Sequence, residues 1–280
     1  MEIGSTLRGV LRLVAYVSVT LAGIPVQAAF LALGWTKAYV RFPRAYHRFC
    51  LRILGIEVVV KGAPSAKRPT LFISNHSSYL DIPVLSAVAD VSFVAKSEVN
   101  DWPFFGLLAR LQRTVFVERE KRTKAQEQRD SIAGRLQAGD CLVLFPEGTS
   151  SDGNRVLPFK TALFSVAGTK VDEAPVLVQP VSVTATHLDG LPLGHVWRAL
   201  YAWYGDMELP PHLWRMVRAG RIRVVVEFHP ALTVDQVGSR KALAEHCWRT
   251  VAQGVERAVK NRAELPVPAN AADGAKAAVG

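Results

Sequence analysis

Three short blocks carry residue types able to do chemistry, and each stands at the end of an apolar run. In Ser-Asn-His-Ser-Ser-Tyr-Leu-Asp, residues 74–81, His76 and Asp81 lie five positions apart. A carboxylate that accepts the Nδ1 proton of an imidazole fixes its tautomer and leaves Nε2 free to take a proton from a substrate. This pair is half of a hydrolase triad, but the chain contains no Gly-x-Ser-x-Gly nucleophile turn. If His76 is a base, the group it activates is most simply a hydroxyl on the substrate. The second block is Phe-Pro-Glu-Gly-Thr, residues 145–149, where Glu147, Gly148 and Thr149 offer a carboxylate, a turn and a hydroxyl. The third is Thr-Val-Phe-Val-Glu-Arg, residues 114–119, in which Arg119 could grip a phosphate or carboxylate. Each block also fits a plain structural role: a capped turn, a β-turn and a solvated ion-pair cluster.

What would bring the blocks together is a sheet. Residues 57–61, 70–74, 91–95, 114–118, 141–145, 176–183 and 221–228 are near-continuous runs of Val, Ile, Leu and Phe. Runs of that length read as strands covered on both faces. Between them, 124–138 is an amphipathic helix with Ile132 and Leu136 inward. A second, 240–262, is capped by Ser239 and carries the stripe Leu243, Cys247, Val251, Val255 and Val259. The alternation predicts an α/β fold, a mixed layered sheet with flanking helices. His76, Arg119 and Glu147 would then stand at strand ends, where ligands collect in such sheets.

The 280 residues carry a net charge of +10, and its distribution is uneven. Residues 1–68 hold 10 Lys and Arg against 2 acids, whereas 69–280 hold 24 against 22. The basic quarter also contains Leu13 to Thr36, 24 residues without a formal charge. Such a run can cross a hydrocarbon core as one helix kinked at Pro25, or dip into one leaflet as two half-helices bent there. Lys37, Arg41, Arg44, Arg48 and Arg52 follow at helical spacing, which places them on the cytoplasmic side against anionic headgroups. A cleaved signal peptide fits less well, since basic residues stand where a small-residue cleavage site would be. The organisation expected is a membrane-associating segment over 1–54, a catalytic domain over 55–264, and a disordered Ala/Pro/Gly-rich tail over 265–280.

His76–Asp81, Phe116–Arg119, Phe145–Thr149 and Val178–Pro180–Val181 occur in the order of the four motif blocks of the glycerolipid acyltransferases. Over about residues 55–230 the chain resembles the PlsC-type 1-acyl-sn-glycerol-3-phosphate acyltransferases. The resemblance implies that His76 is the general base and Asp81 its orienting carboxylate. It implies that Arg119 holds the acceptor's phosphate and that Glu147, Gly148 and Thr149 bind the glycerol-phosphate end. Lys96 and Lys160 are similar to further basic positions near the substrate. The implied reaction is direct transfer from an acyl thioester, acyl-CoA or acyl carrier protein, to the hydroxyl of lysophosphatidate, without an acyl-enzyme. Neither cofactor nor metal is implied. In one respect the chain departs from the pattern: an arginine usually follows Glu-Gly-Thr, and here the residue is Ser150, with Arg155 five positions on. That departure, and the stretch 151–160, resemble the lyso-ornithine lipid acyltransferase branch, which gives an alternative acceptor.

Other classes fit less. A thioester or ester hydrolase would commonly need a Ser or Cys nucleophile near His76. A non-catalytic membrane adaptor would leave His76 and Asp81 incidental. Nucleic-acid binding is disfavoured because the sheet region is nearly neutral. Zinc is disfavoured because the seven His and three Cys show no ligand spacing. Those cysteines, Cys50, Cys141 and Cys247, form no pairing pattern and fit a reducing compartment. Trp197, Tyr201, Trp203, Tyr204 and Trp214 read equally as core packing or as a headgroup-level belt or the mouth of an acyl-chain groove.

Overall fold

The computed structural model describes residues 4–118, 125–171 and 173–260. Its principal elements, in chain order, begin with the helices α1 (Thr6–Ala32) and α2 (Thr36–Leu54) and the strands β1 (Ile56–Lys61) and β2 (Thr70–Ser74). There follow α3 (Asp81–Val88), β3 (Ser92–Lys96), α4 (Phe105–Leu111), β4 (Val115–Val117), α5 (Ala125–Gln137) and β5 (Leu142–Leu144). The last are β6 (Leu177–Leu188), α6 (Leu209–Arg218), β7 (Ile222–Phe228) and α7 (Arg240–Val259). All seven predicted strands and both predicted helices are present; Arg119 and the tail 265–280 lie outside the described residues.

The strands form one mixed sheet in the order β1-β7-β6-β2-β5-β3-β4. From β6 to β4 every pairing is parallel, while β7 runs antiparallel to β6 and β1 runs parallel to β7. Alternation along each strand divides the core into two layers. Phe72, Val143 and Val183 face α2, α3 and α6, in one cluster with Leu51, Val84 and Met216. Leu71, Ile73, Leu142 and Leu144 face α5 and α7, in another with Leu136, Leu243, Cys247, Val251 and Val255. Ser239 caps α7 by accepting from the Ala242 N–H at 3.1 Å, as its sequence predicts.

The N-terminal quarter is a helical hairpin. Pro25 lies within α1, and the reversal comes at Leu33–Trp35, where Gly34 has φ +66°. The bend is therefore nine residues beyond the expected one: a glycine free to take a left-handed conformation breaks the helix, and the proline does not. The 27 residues of α1 correspond to about 40 Å of helix. One face of α1 is apolar and bare: Leu7, Leu11, Val14 and Leu21 are all more than half exposed. Its inner face is polar. Thr20 Oγ1 bonds Tyr46 Oη at 2.7 Å, and Gln27 Nε2 donates to the carbonyls of Tyr39 and Leu111 at 3.0 and 2.9 Å. The hairpin is tied to the sheet body at both helices. Arg8 and Arg12 donate to the carbonyl of Ala219 beyond the end of α6, at 3.0 and 2.8 Å, and Arg48 Nε donates to Ala87 O at 2.7 Å.

Candidate active site

The parallel strands β2, β5, β3 and β4 end on one edge, and their C-terminal turns carry the chemistry. At the end of β2, Asn75 hooks onto β6, donating to Val183 O at 2.9 Å and accepting from Val183 N at 2.8 Å. This fixes the chain where it turns toward His76. His76 Nδ1 lies 3.0 Å from Asp81 Oδ2, so the expected pair is formed. Asp81 opens α3, is fully buried, and accepts at Oδ2 also from the amides of Ser77 and Ser78 at 2.7 and 2.9 Å. A carboxylate so supplied with donors is held in one orientation. The imidazole stacks on Phe145 with centroids 4.2 Å apart. With Nδ1 taken by Asp81, Nε2 is the nitrogen left for a substrate proton.

Glu147, from the turn after β5, is brought directly beneath this pair. Its Oε1 accepts from the His76 backbone N–H at 2.7 Å and its Oε2 from Leu157 N–H at 2.8 Å. Both oxygens are thus engaged inside the protein, and the side chain clamps the His76 turn to the loop leading into residue 157. Burial pushes its pKa up to about 8, against the pull of those two amides. Gly148 has φ +75°, a left-handed conformation that favours glycine, and Lys160 Nζ passes close over it. Lys160 and Thr149 are exposed beside this turn. Lys96 ends β3 on the same edge and is exposed, while Arg155 points to solvent from the neighbouring loop. Ser151 closes that loop onto the site by donating its N–H to His76 O at 2.9 Å. Among the described residues no cluster of three potential metal ligands occurs.

His76 opens on an apolar cavity of about 230 Å³. Its walls come from Leu13 and Tyr16 of α1, Cys50 and Leu54 of α2, Trp102 and Leu108 beside β3 and in α4, and Leu213 and Val217 of α6. Tyr79 and Trp203 flank the mouth with ring centroids 5.9 Å apart. The aromatic stretch after residue 195 is therefore divided: Tyr201 is buried core, Trp203 lines the cavity, and Trp197 is half exposed. Trp203 in the cavity wall and Tyr201 in the core match the two readings of the aromatic stretch, whereas Asn75, Ser151 and the bond from Tyr201 to Asp81 were not assigned from the sequence. Asn75 and Ser151 stand next to assigned residues, which is a usable signal. For Tyr201, 120 positions from Asp81, no local spacing could have served.

Three comparisons bear on this site. The family described as Acyltransferase matches residues 52–184. The lyso-ornithine lipid O-acyltransferase of Brucella abortus is 47 % identical over 266 residues, covering 93 % of this chain and 98 % of that protein. The 1-acyl-sn-glycerol-3-phosphate acyltransferase of Neisseria gonorrhoeae is 32 % identical over 76 % of this chain and 78 % of its own length. Among solved structures, the 1-acyl-sn-glycerophosphate acyltransferase PlsC of Thermotoga maritima matches with a TM-score of 0.64 at 22 % identity, over 90 % of this chain and 96 % of that one, a likeness of fold.

Proposed function

The chain belongs to the acyltransferase family, and on that premise we propose that it transfers a fatty acyl group from an acyl thioester to the free hydroxyl of a lyso-ornithine lipid. The single observation that carries the chemistry is the His76–Asp81 pair set at the mouth of an apolar cavity. His76 Nε2 takes the hydroxyl proton as the acceptor oxygen attacks the thioester carbonyl. The tetrahedral centre collapses, the C–S bond breaks, and the departing thiolate receives the proton from the imidazolium. The cavity takes apolar chain, and the basic edge with exposed Lys96 and Lys160 serves the polar groups of donor and acceptor. Acyl-CoA and acyl carrier protein supply the same thioester chemistry.

Lyso-ornithine lipid stands ahead of lysophosphatidate here, reversing the order the motif blocks suggested. The support is the difference between 47 % and 32 % identity to the two classes of relative, together with Ser150 at the position where the phosphate-binding pattern has arginine. We place the enzyme on the cytoplasmic face of the membrane. The bare apolar face of α1 meets the acyl layer, and exposed Lys37, Arg41, Arg48 and Arg52 of α2 meet anionic headgroups. Membranes containing the protein, given radiolabelled acyl donor and either lysolipid, test the acceptor. A higher kcat/KM for lyso-ornithine lipid is expected; preference for lysophosphatidate would reverse the assignment.

A further inference from the structure

The carboxylate of Asp81 has a partner from outside its own loop. Tyr201, 1 % exposed, follows the short 3-10 turn Val196–Leu200 and donates its hydroxyl to Asp81 Oδ1 at 2.9 Å. The other three donors, His76 Nδ1 and the amides of Ser77 and Ser78, all fall on Oδ2. Among the described residues Tyr201 is the one donor on Oδ1. Its backbone is held to the same loop two residues on, where Trp203 N–H donates to Ser77 O at 2.8 Å.

We propose that Tyr201 is a positioning residue for the proton transfer: its hydroxyl holds Oδ1 so that Oδ2 stays aimed at His76, and it sets the proton affinity of the imidazole. The proposal rests on His76 being the base. The carboxyl torsion of an aspartate is soft, so a plane gripped at Oδ2 alone can rock, whereas donors on both oxygens fix it. The same bond stabilises the carboxylate's charge. Removing it concentrates that charge on the oxygen facing His76, and the imidazolium is then held to a higher pH. Burial and the neighbouring Asp81 charge push the Tyr201 phenol well above its ordinary range, which keeps it a donor across the working range. The other titratable groups facing the pair are Glu147 from the turn after β5, Tyr79 in the same loop with His212 behind it on α6, and Tyr16, His47 and Cys50 across the cavity. None of these reaches Oδ1 in a hydrogen bond.

A general base works in its neutral form, so the acid limb of kcat/KM against pH reports the His76–Asp81 pair. In Tyr201→Phe the limb is expected to move up by about 0.5 to 1 pH unit, with kcat at pH 7 falling about tenfold and KM for the lysolipid unchanged within about twofold. 3-Fluorotyrosine installed at position 201 nearly preserves the shape and is a stronger donor; there the limb is expected to move down. That variant also carries the test if Tyr201→Phe fails to fold. A limb that stays in place in the fluorotyrosine protein makes Tyr201 a packing residue and overturns the proposal. His76→Ala run alongside separates the two readings: if that protein keeps activity and the wild-type limb, the base assignment is what has failed.

Discussion

The hairpin and the sheet body solve opposite packing problems. In the body, apolar side chains face inward and are covered by helices on both sides, as with Phe72 and Val143 against α3, or Leu142 and Leu144 against α7. In the hairpin, the polar groups Thr20, Gln27 and Tyr46 are bonded to one another or to backbone inside, and leucines and valines are outside. Burying apolar surface from water is favourable by about 25 cal/mol per Å². A helix that leaves Leu7, Leu11, Val14 and Leu21 bare forgoes that gain unless its surroundings are themselves apolar. The difference is the one expected of two regions with different solvents, and the candidate active site lies where they meet. The cavity at His76 is walled by α1 and α2 on one side and by the sheet's helices on the other.

That contrast yields tests in decreasing order of effect. Asp81→Asn, on the body side, leaves the His76 ring without its carboxylate, and turnover is expected to fall by about 10²- to 10³-fold with vesicle binding unchanged. On the hairpin side, Leu11→Asp with Leu21→Asp should weaken binding to anionic vesicles by more than about a hundredfold, given about 1.5–3 kcal/mol per buried leucine. Its thermal midpoint in detergent should hardly move. A midpoint that collapses would mean these residues belong to the protein's core, and the contrast would fail. Gln27→Leu probes the inner face: two backbone carbonyls lose their donor, so stability should drop by about 2 kcal/mol while vesicle binding is retained. Chemical denaturation and vesicle sedimentation together read both quantities.

A separate test, outside that order, concerns pH. Glu147 in the folded protein has its pKa raised to about 8 by burial, above the ordinary carboxylate range. A group raised in this way contributes stability that is complete below about pH 4.5 and is lost as pH rises through about 8. The urea midpoint should therefore decline between those limits, and the decline should be shallower in Glu147→Gln. An identical slope in both proteins would remove Glu147 as its source.

How much of this could be read from the sequence depends on the range of the interaction. Near-continuous runs of Val, Ile, Leu and Phe marked every principal strand, because a strand's burial is written in its own residues. The His76–Asp81 pair was legible because both members sit on one turn. The far half of β6 was missed: Thr184, Thr186 and His187 are buried there as polar residues, and an apolar run does not register them. Pro25 was read as the bend because proline is the stronger helix breaker in water, yet α1 runs through it and turns at Gly34. The family resemblance assigned Glu147 to the glycerol-phosphate end of the substrate, while its two oxygens hold the backbone of His76 and Leu157. Tyr201 meets Asp81 only through the fold.

The most direct measurement is made on His76→Ala in vesicles, with turnover of lyso-ornithine lipid and vesicle binding recorded on the same preparation. Turnover should fall by at least about a thousandfold while binding stays at the wild-type level, since the proposed base stands in the body and the proposed anchor in the hairpin. A His76→Ala protein that turns over at the wild-type rate, or one that loses binding along with activity, would contradict that division.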